Sequence, residues 1–146
     1  MAKKLFFVSD LHMGGDGRLQ HCDYTTEFVG FLKELEREGA DTELLIVGDT
    51  FGFWETTLVQ GVEKLDHIIG AHQAIFDQLK LTGARIKVTM MVGNHDYDLA
   101  CDPAFSGQAQ RIQHQAGLKS ESDSHLRRQE DLDRTRTAAR PVQCFS

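Results

Sequence analysis

The sequence predicts an α/β fold in which three parallel strands alternate with two helices. Short apolar runs at residues 5–8, 44–47 and 86–92 carry this prediction, because they show no regular polar alternation and are too short for helices. The stretches between them have apolar residues at helical spacing. Strands that are connected through helices pair in parallel by right-handed crossovers. We therefore expect a β-α-β-α-β unit.

The first strand is predicted to be buried over residues 3–9 and to lead, through a glycine-rich turn, into the first helix. Asp23 is suited to cap the N-terminus of this helix, and Gly39 is suited to end it. The helix has one apolar face, formed by Phe28, Phe31, Leu32 and Leu35. An apolar stripe of this kind predicts that the helix packs with one face against the core.

An aromatic loop, residues 51–54, follows the second strand and forms either a hydrophobic plug or a wall of a ligand pocket. Thr57 and Gln60 have the spacing of a capping box, so we predict one long helix from there to Gly83. Its apolar face consists of Leu58, Val62, Leu65, Ile69, His72, Phe76 and Leu79. No carboxylate accompanies the two histidines of this helix at matching spacing, and we interpret both as structural. They are His67 and His72.

Polar side chains that suit metal binding follow all three strands. In chain order they are Asp10 and His12, then Asp49, then Asn94, His95 and Asp96. The carboxyl ends of parallel strands share one edge of the sheet, where open α/β folds bind their ligands. Carboxylates, an amide oxygen and neutral imidazoles bind ions such as Mn²⁺, Fe²⁺ or Zn²⁺. Each motif alone could be a polar turn, but together they predict one metal site.

Two of these motifs also suggest distinct roles. Asp49 is the candidate bridge between two ions, because one carboxylate can bind two metals with separate oxygens. Asp96 follows His95 directly and could keep its imidazole protonated. A charged imidazole would stabilise negative charge on a phosphoryl group or on a leaving group.

Composition changes along the chain. Residues 1–105 contain 17 acidic and 9 basic side chains, whereas residues 106–146 contain 5 acidic and 7 basic ones and few large apolar residues. We predict that the second segment is a polar tail, disordered or marginally helical. The net charge of −6 argues against bulk electrostatic binding of nucleic acid. No long apolar span or signal-peptide pattern is present, which predicts a cytoplasmic chain.

The strand-end motifs resemble a known family. Asp10-x-His12, Gly48-Asp49 and Gly93-Asn94-His95-Asp96, in this order, are similar to the first three signature blocks of the calcineurin-like metallophosphoesterases. The resemblance implies an αββα sandwich and two divalent metal ions, with Mn²⁺ as the first candidate. It also implies hydrolysis of a small phosphomonoester, phosphodiester or pyrophosphate by a metal-bound hydroxide. Residues 48–54 are similar to those of UDP-2,3-diacylglucosamine pyrophosphatases, but these enzymes usually have Arg where His95 stands, so this substrate is a minority option.

The resemblance further implies a role for each residue. The first metal would be bound by Asp10, His12 and Asp49, the second by Asp49 and Asn94, and catalysis would fall to His95 and Asp96. The similarity extends over about residues 3–102, and the later Gly-His-x-His block of the family is not found. His114 and His125 lack its context.

We interpret residues 1–105 as the N-terminal βαβαβ half of such a domain, with the C-terminal half missing or altered. The leading hypothesis is an active phosphoesterase. The alternative is a catalytically inactive fragment or scaffold that keeps the fold. Half a sandwich leaves one sheet face and one edge uncovered, which would favour a homo-oligomer.

Overall fold

The computed structural model describes residues 3–105, 107–108, 111–112 and 119–120. Its main sheet contains β1 (Lys4–Val8), β3 (Thr42–Val47), β5 (Lys87–Met91) and β6 (Lys119–Ser120). The four strands lie in the order β1-β3-β5-β6, and all neighbours are parallel. A separate small sheet pairs β2 (Met13–Gly14) with β4 (Phe51–Gly52), also in parallel. The parallel strands, with helices between them, confirm the predicted α/β class.

Within residues 3–105, four α-helices connect or flank these strands. They are α1 (Thr25–Leu35), α2 (Glu63–Ala71), α3 (Gln73–Gly83) and α4 (Asp98–Cys101). The first predicted helix is confirmed, although Tyr24 rather than Asp23 occupies the cap position and no side chain caps it. A short 3-10 turn continues it to Gly39, whose φ of +97° ends the helical run as expected. No helix of the described residues is long and apolar enough to cross a membrane.

The prediction of one long helix from Thr57 to Gly83 is wrong. The chain forms α2 and α3 instead, and it breaks at His72, where φ is −116° and ψ is 30°. His72 still joins the two helices, because its N–H binds the carbonyl of Ile68 and its carbonyl accepts the N–H of Ile75. The proposed capping box is absent because the backbone N–H and hydroxyl of Thr57 bind a distant carboxylate, that of Asp16. A tertiary contact has replaced the local one.

The helices cover one face of the main sheet. Leu44 and Ile46 point to this face and are fully buried, and α1 packs against α3 above it. On the other face Leu5 is 48% exposed and Phe7 is 62% exposed. The prediction that β1 is buried on both sides is therefore wrong. It is an edge strand, and in the described part of the chain only one side of it packs on the core.

The strand β6 extends the sheet beyond β5, with Thr89 paired to Lys119 and Met90 to Ser120. The sequence pattern does not predict a strand there. The other predictions for the tail, including those for His114 and His125, fall outside the described residues.

Candidate metal centre

The three motif-bearing strands end at the same edge of the main sheet, and the backbone just beyond them is strained. Asp10, His12 and Asp49 have φ values of 55°, 42° and 48°. They are the non-glycine residues with positive φ in the described part of the chain. Such left-handed conformations are costly for residues with a Cβ, and they cluster at ligand sites and active sites. The strain thus falls on three of the residues that the sequence selects.

Two glycines allow the second and third motifs to touch. A Cβ on Gly93 would lie 2.3 Å from Asp49 Oδ1 and 2.4 Å from Asp49 N, which leaves no room for a side chain. Gly48 has a φ of +77° and lies against Gly93 in turn. Because the two strand ends approach so closely, the N–H of His95 donates a 2.8 Å hydrogen bond to Asp49 Oδ1.

His12, Asp49 and His95 form a cluster that fits a metal ion. Each offers one ligand atom, and these atoms lie within 4.8 Å of one another. The two imidazole rings meet edge to face, with centroids 4.4 Å apart. All three residues are partly buried. A mixed set of nitrogen and oxygen donors suits borderline divalent ions such as Mn²⁺, Fe²⁺ or Zn²⁺.

The other two predicted ligands lie at the border of this cluster. The Asp10 side chain is 68% exposed, and its Oδ1 is 3.9 Å from His12 Nε2. Asn94 is exposed and lies next to His95 in the turn after β5. The structure therefore brings Asp10 beside His12 and leaves both Asp10 and Asn94 open to solvent. Their assignment as metal ligands stays a prediction.

Asp96 is fully buried, and its carboxylate binds the backbone. Oδ2 accepts hydrogen bonds from the N–H groups of Thr50 at 2.7 Å and Phe51 at 3.3 Å, and Oδ1 accepts one from Gly93 at 2.5 Å. Burial raises the pKa of this carboxyl, the charge of Asp49 adds to the rise, and the three hydrogen bonds oppose it. Asp96 thus ties the third motif to the second, and its catalytic assignment stays a prediction.

Glu55 is the carboxylate that faces the histidines, and the sequence analysis missed it. Its Oε1 is 2.9 Å from His95 Nδ1 and 3.5 Å from His12 Nδ1, and its side chain is 15% exposed. The contact exists because β2 pairs with β4 and brings the two loops together. Two-residue strands leave no recognisable pattern, so the only sequence signal is an acidic residue soon after the second motif.

The aromatic loop contains both of the expected structures. Phe51 and Phe53 are fully buried and stacked, with centroids 5.5 Å apart, so they form a plug. Trp54 is 61% exposed, and its ring centroid lies 4.4 Å from that of His95. This indole is therefore a wall beside the histidine cluster.

Comparison with protein-family models matches residues 3–138 to the family described as calcineurin-like phosphoesterase. Comparisons with curated proteins and with solved structures gave no match. The matched range includes every residue of the candidate site. It also extends past residue 105, where the sequence analysis places the beginning of the polar tail.

Proposed function

This chain belongs to the calcineurin-like phosphoesterase family, and from that membership we propose that it hydrolyses a phosphomonoester, a phosphodiester or a pyrophosphate. The family supports a metal-dependent phosphoesterase in general. The observation that carries the proposal for this chain is the cluster of His12, Asp49 and His95, whose ligand atoms lie within 4.8 Å of one another. A nitrogen and oxygen cluster at the carboxyl edge of a parallel sheet is suited to bind metal and phosphate together.

We assign metal binding to residues at the ends of the three strands. Asp10, His12 and Asp49 would bind one ion, and Asp49 and Asn94 a second. Divalent ions at these positions, Mn²⁺ first among the candidates, would neutralise phosphoryl charge and lower the pKa of a bound water. Asp49 suits the shared position because Gly48 and Gly93 hold it between the second and third motifs.

His95 is assigned to the reacting phosphoryl group. Its ring touches that of His12, and its backbone N–H is bound to Asp49, so its position depends on the metal ligands. An imidazole there can donate a proton or a hydrogen bond to the leaving oxygen. Asp96 acts on it through the backbone, since its carboxylate fixes the turn at Gly93. A small phosphorylated substrate would enter past the exposed Trp54.

The second candidate is a catalytically inactive protein that retains the fold and binds one ion weakly. The exposure of Asp10 and Asn94 favours it, because solvent-exposed ligands lose more conformational freedom on binding than fixed ones.

Hydrolysis of p-nitrophenyl phosphate and of its bis-ester, with and without Mn²⁺, separates the two candidates. We expect metal-dependent turnover, and we expect Asp49→Ala and His95→Ala to lower kcat/KM by about 100-fold or more. Asp41→Ala is the matched control, because Asp41 is exposed and precedes β3 at the other end of the sheet. If a folded chain binds Mn²⁺ but hydrolyses neither ester, the inactive protein is the correct interpretation.

A further inference from the structure

A single carboxylate oxygen lies between the two histidines of the candidate centre. Glu55 Oε1 is within 3.5 Å of Nδ1 of His12 and of His95. Both Nδ1 atoms are buried and make no well-aligned hydrogen bond among the described residues, so Glu55 Oε1 faces them as a close carboxylate oxygen. Since each ring turns the same nitrogen toward Glu55, the Nε2 atoms are the ones left for a ligand. His12 Nε2 is the atom that lies near Asp10.

The loop around Glu55 is held in a fixed position. The carbonyl of Glu55 accepts the N–H of Asp16 at 3.2 Å. The next residue, Thr56, is buried, and its hydroxyl binds both the carbonyl of Gly52 at 2.9 Å and the N–H of Gly15 at 3.1 Å. A Cβ on Gly52 would lie 3.0 Å from Glu55 Oε2, so the carboxylate rests against backbone. Glu55 is therefore part of a built site.

The second oxygen of Glu55 adds a reason to look for a function. Oε2 is buried and has no hydrogen-bond partner in the described part of the chain. Burying such an oxygen opposes folding, and a glutamate without a function could avoid this by turning to solvent. Asp96 cannot take its place at the rings, because its carboxylate is bound by three backbone N–H groups.

We propose that Glu55 is a positioning residue that holds His12 and His95 with the proton on Nδ1. An ionised carboxylate only accepts hydrogen bonds, so it favours a ring nitrogen that carries hydrogen. A neutral imidazole has one such nitrogen, and Nε2 then keeps its lone pair. Glu55 thereby presents the Nε2 lone pair of His12 to the metal and fixes the ring of His95, whose role as a donor to the phosphoryl group requires a further proton on Nε2. The consequence for hydrolysis rests on the proposed function, whereas the position of the proton does not.

The test is ¹⁵N NMR of metal-free protein with labelled histidine, at a pH of about 8.5, where ordinary imidazoles are neutral. His12→Gln and His95→Gln assign the signals. We expect Nδ1–H at both rings in the unchanged chain and a shift toward Nε2–H in Glu55→Ala. Glu55→Gln should retain Nδ1–H, because its amide oxygen still accepts. Glu34→Ala, an exposed glutamate on α1, should change nothing.

Mn²⁺ affinity, measured by calorimetry, gives the second result. We expect a loss of about 10- to 100-fold in Glu55→Ala, a smaller loss in Glu55→Gln and none in Glu34→Ala. Wild-type proton positions or unchanged Mn²⁺ affinity in folded Glu55→Ala would overturn the proposal. If Glu55→Ala fails to fold, Glu55→Gln takes its place in the test. Loss of Nδ1–H in folded Glu55→Gln would also overturn the proposal. Proton positions are read without substrate, so absence of turnover refutes the proposed function but leaves this inference standing.

Discussion

Asp96 supports the centre through backbone contacts. Its buried carboxylate accepts the N–H groups of Thr50, Phe51 and Gly93. Asp96→Ala leaves these donors without a protein acceptor, so we expect the free energy of unfolding to fall by about 2–4 kcal/mol in urea titrations. Asp96→Asn keeps one acceptor oxygen and should lose less. A change below about 0.5 kcal/mol in Asp96→Ala, the range of neutral surface substitutions, would contradict this role.

His72 should make stability depend on pH. It is buried at the break between α2 and α3, and burial lowers the pKa of its imidazole below 6.5. The unfolded chain therefore takes up a proton at a pH where the folded chain does not. The contribution of neutral His72 to the free energy of unfolding is fully present above about pH 6.5 and is lost as the pH falls below that value.

His72→Gln removes this titration. Between about pH 5 and 7.5 we expect its free energy of unfolding to vary less with pH than that of the unchanged chain. His21→Gln is the control, because it makes the same substitution at an exposed histidine. Identical pH profiles for His72→Gln and the unchanged chain would refute the prediction.

Local signals mark the strand ends in the sequence. Asp10, His12 and Asp49 come shortly after apolar runs, and all three lie on strained backbone at one edge of the sheet; their roles as metal ligands stay predictions. Glu55 was missed, because its contact depends on the pairing of β2 with β4 across 38 residues from Met13 to Phe51. The sequence identifies the residues at the strand ends, but it does not identify the loop that packs against them.

At the scale of elements, the close approach of two strand ends is the feature that builds the centre. Gly93→Ala would bring a methyl group to within 2.3 Å of Asp49 Oδ1. The backbone must shift to accommodate it, so we expect loss of Mn²⁺ binding in calorimetry and destabilisation by about 1–3 kcal/mol. Both effects arise from the same displaced carboxylate.

Gly30→Ala and Gly70→Ala are the matched controls for this change. These glycines lie within α1 and α2, and a Cβ at either meets nothing within 4 Å. Alanine favours helix, so each variant should be about 0.5–1 kcal/mol more stable, with unchanged Mn²⁺ affinity. Normal Mn²⁺ binding by Gly93→Ala would mean that the two motifs need not touch.

Helix boundaries were less predictable than helix faces. Leu65, Phe76 and Leu79 are buried as their spacing predicts. The helix begins at Glu63 and not at Thr57, because the Asp16 carboxylate takes the N–H groups of Thr57 and Leu58. The apolar periodicity continues through His72 and does not mark the break there. Apolar periodicity predicts which side of a helix packs on the core. Where the helix begins and ends also depends on contacts with residues distant in sequence.

At the scale of the molecule, the face of the main sheet that the described helices leave uncovered carries both an ion-paired glutamate and apolar side chains. Near the start of β3, Glu43 lies 2.5 Å from both Lys3 and Lys87. Burial alone would raise the pKa of Glu43, but these lysines and Thr89 bring it down to about 2. Leu5 pairs with Glu43 in the neighbouring strand, and Phe7 and Val47 follow further along the same face; all three apolar side chains are exposed. The lysines therefore neutralise Glu43, while apolar surface beside and beyond it stays exposed.

Substituting one leucine on each face of the sheet compares how much the two faces contribute to the free energy of unfolding. Leu5 in β1 is 48% exposed on the uncovered face, and Leu44 in β3 is fully buried on the helix-covered face. Leu44→Ala should lower the free energy of unfolding by about 2–5 kcal/mol, because it leaves a cavity in the core. Leu5→Ala should cost less than about 1 kcal/mol, because much of that side chain already meets water.

Urea denaturation of the two variants tests this asymmetry, and light scattering adds a second measurement. Leu5→Ala removes apolar surface from water, so we expect it to reduce scattering at high protein concentration, whereas Leu44→Ala should not. Equal substitutions should therefore have unequal costs, because the described helices pack on only one side of the sheet. If Leu5→Ala destabilises the chain as much as Leu44→Ala, the face that carries Leu5 and Phe7 is covered in solution, and the one-sided sheet is the wrong description.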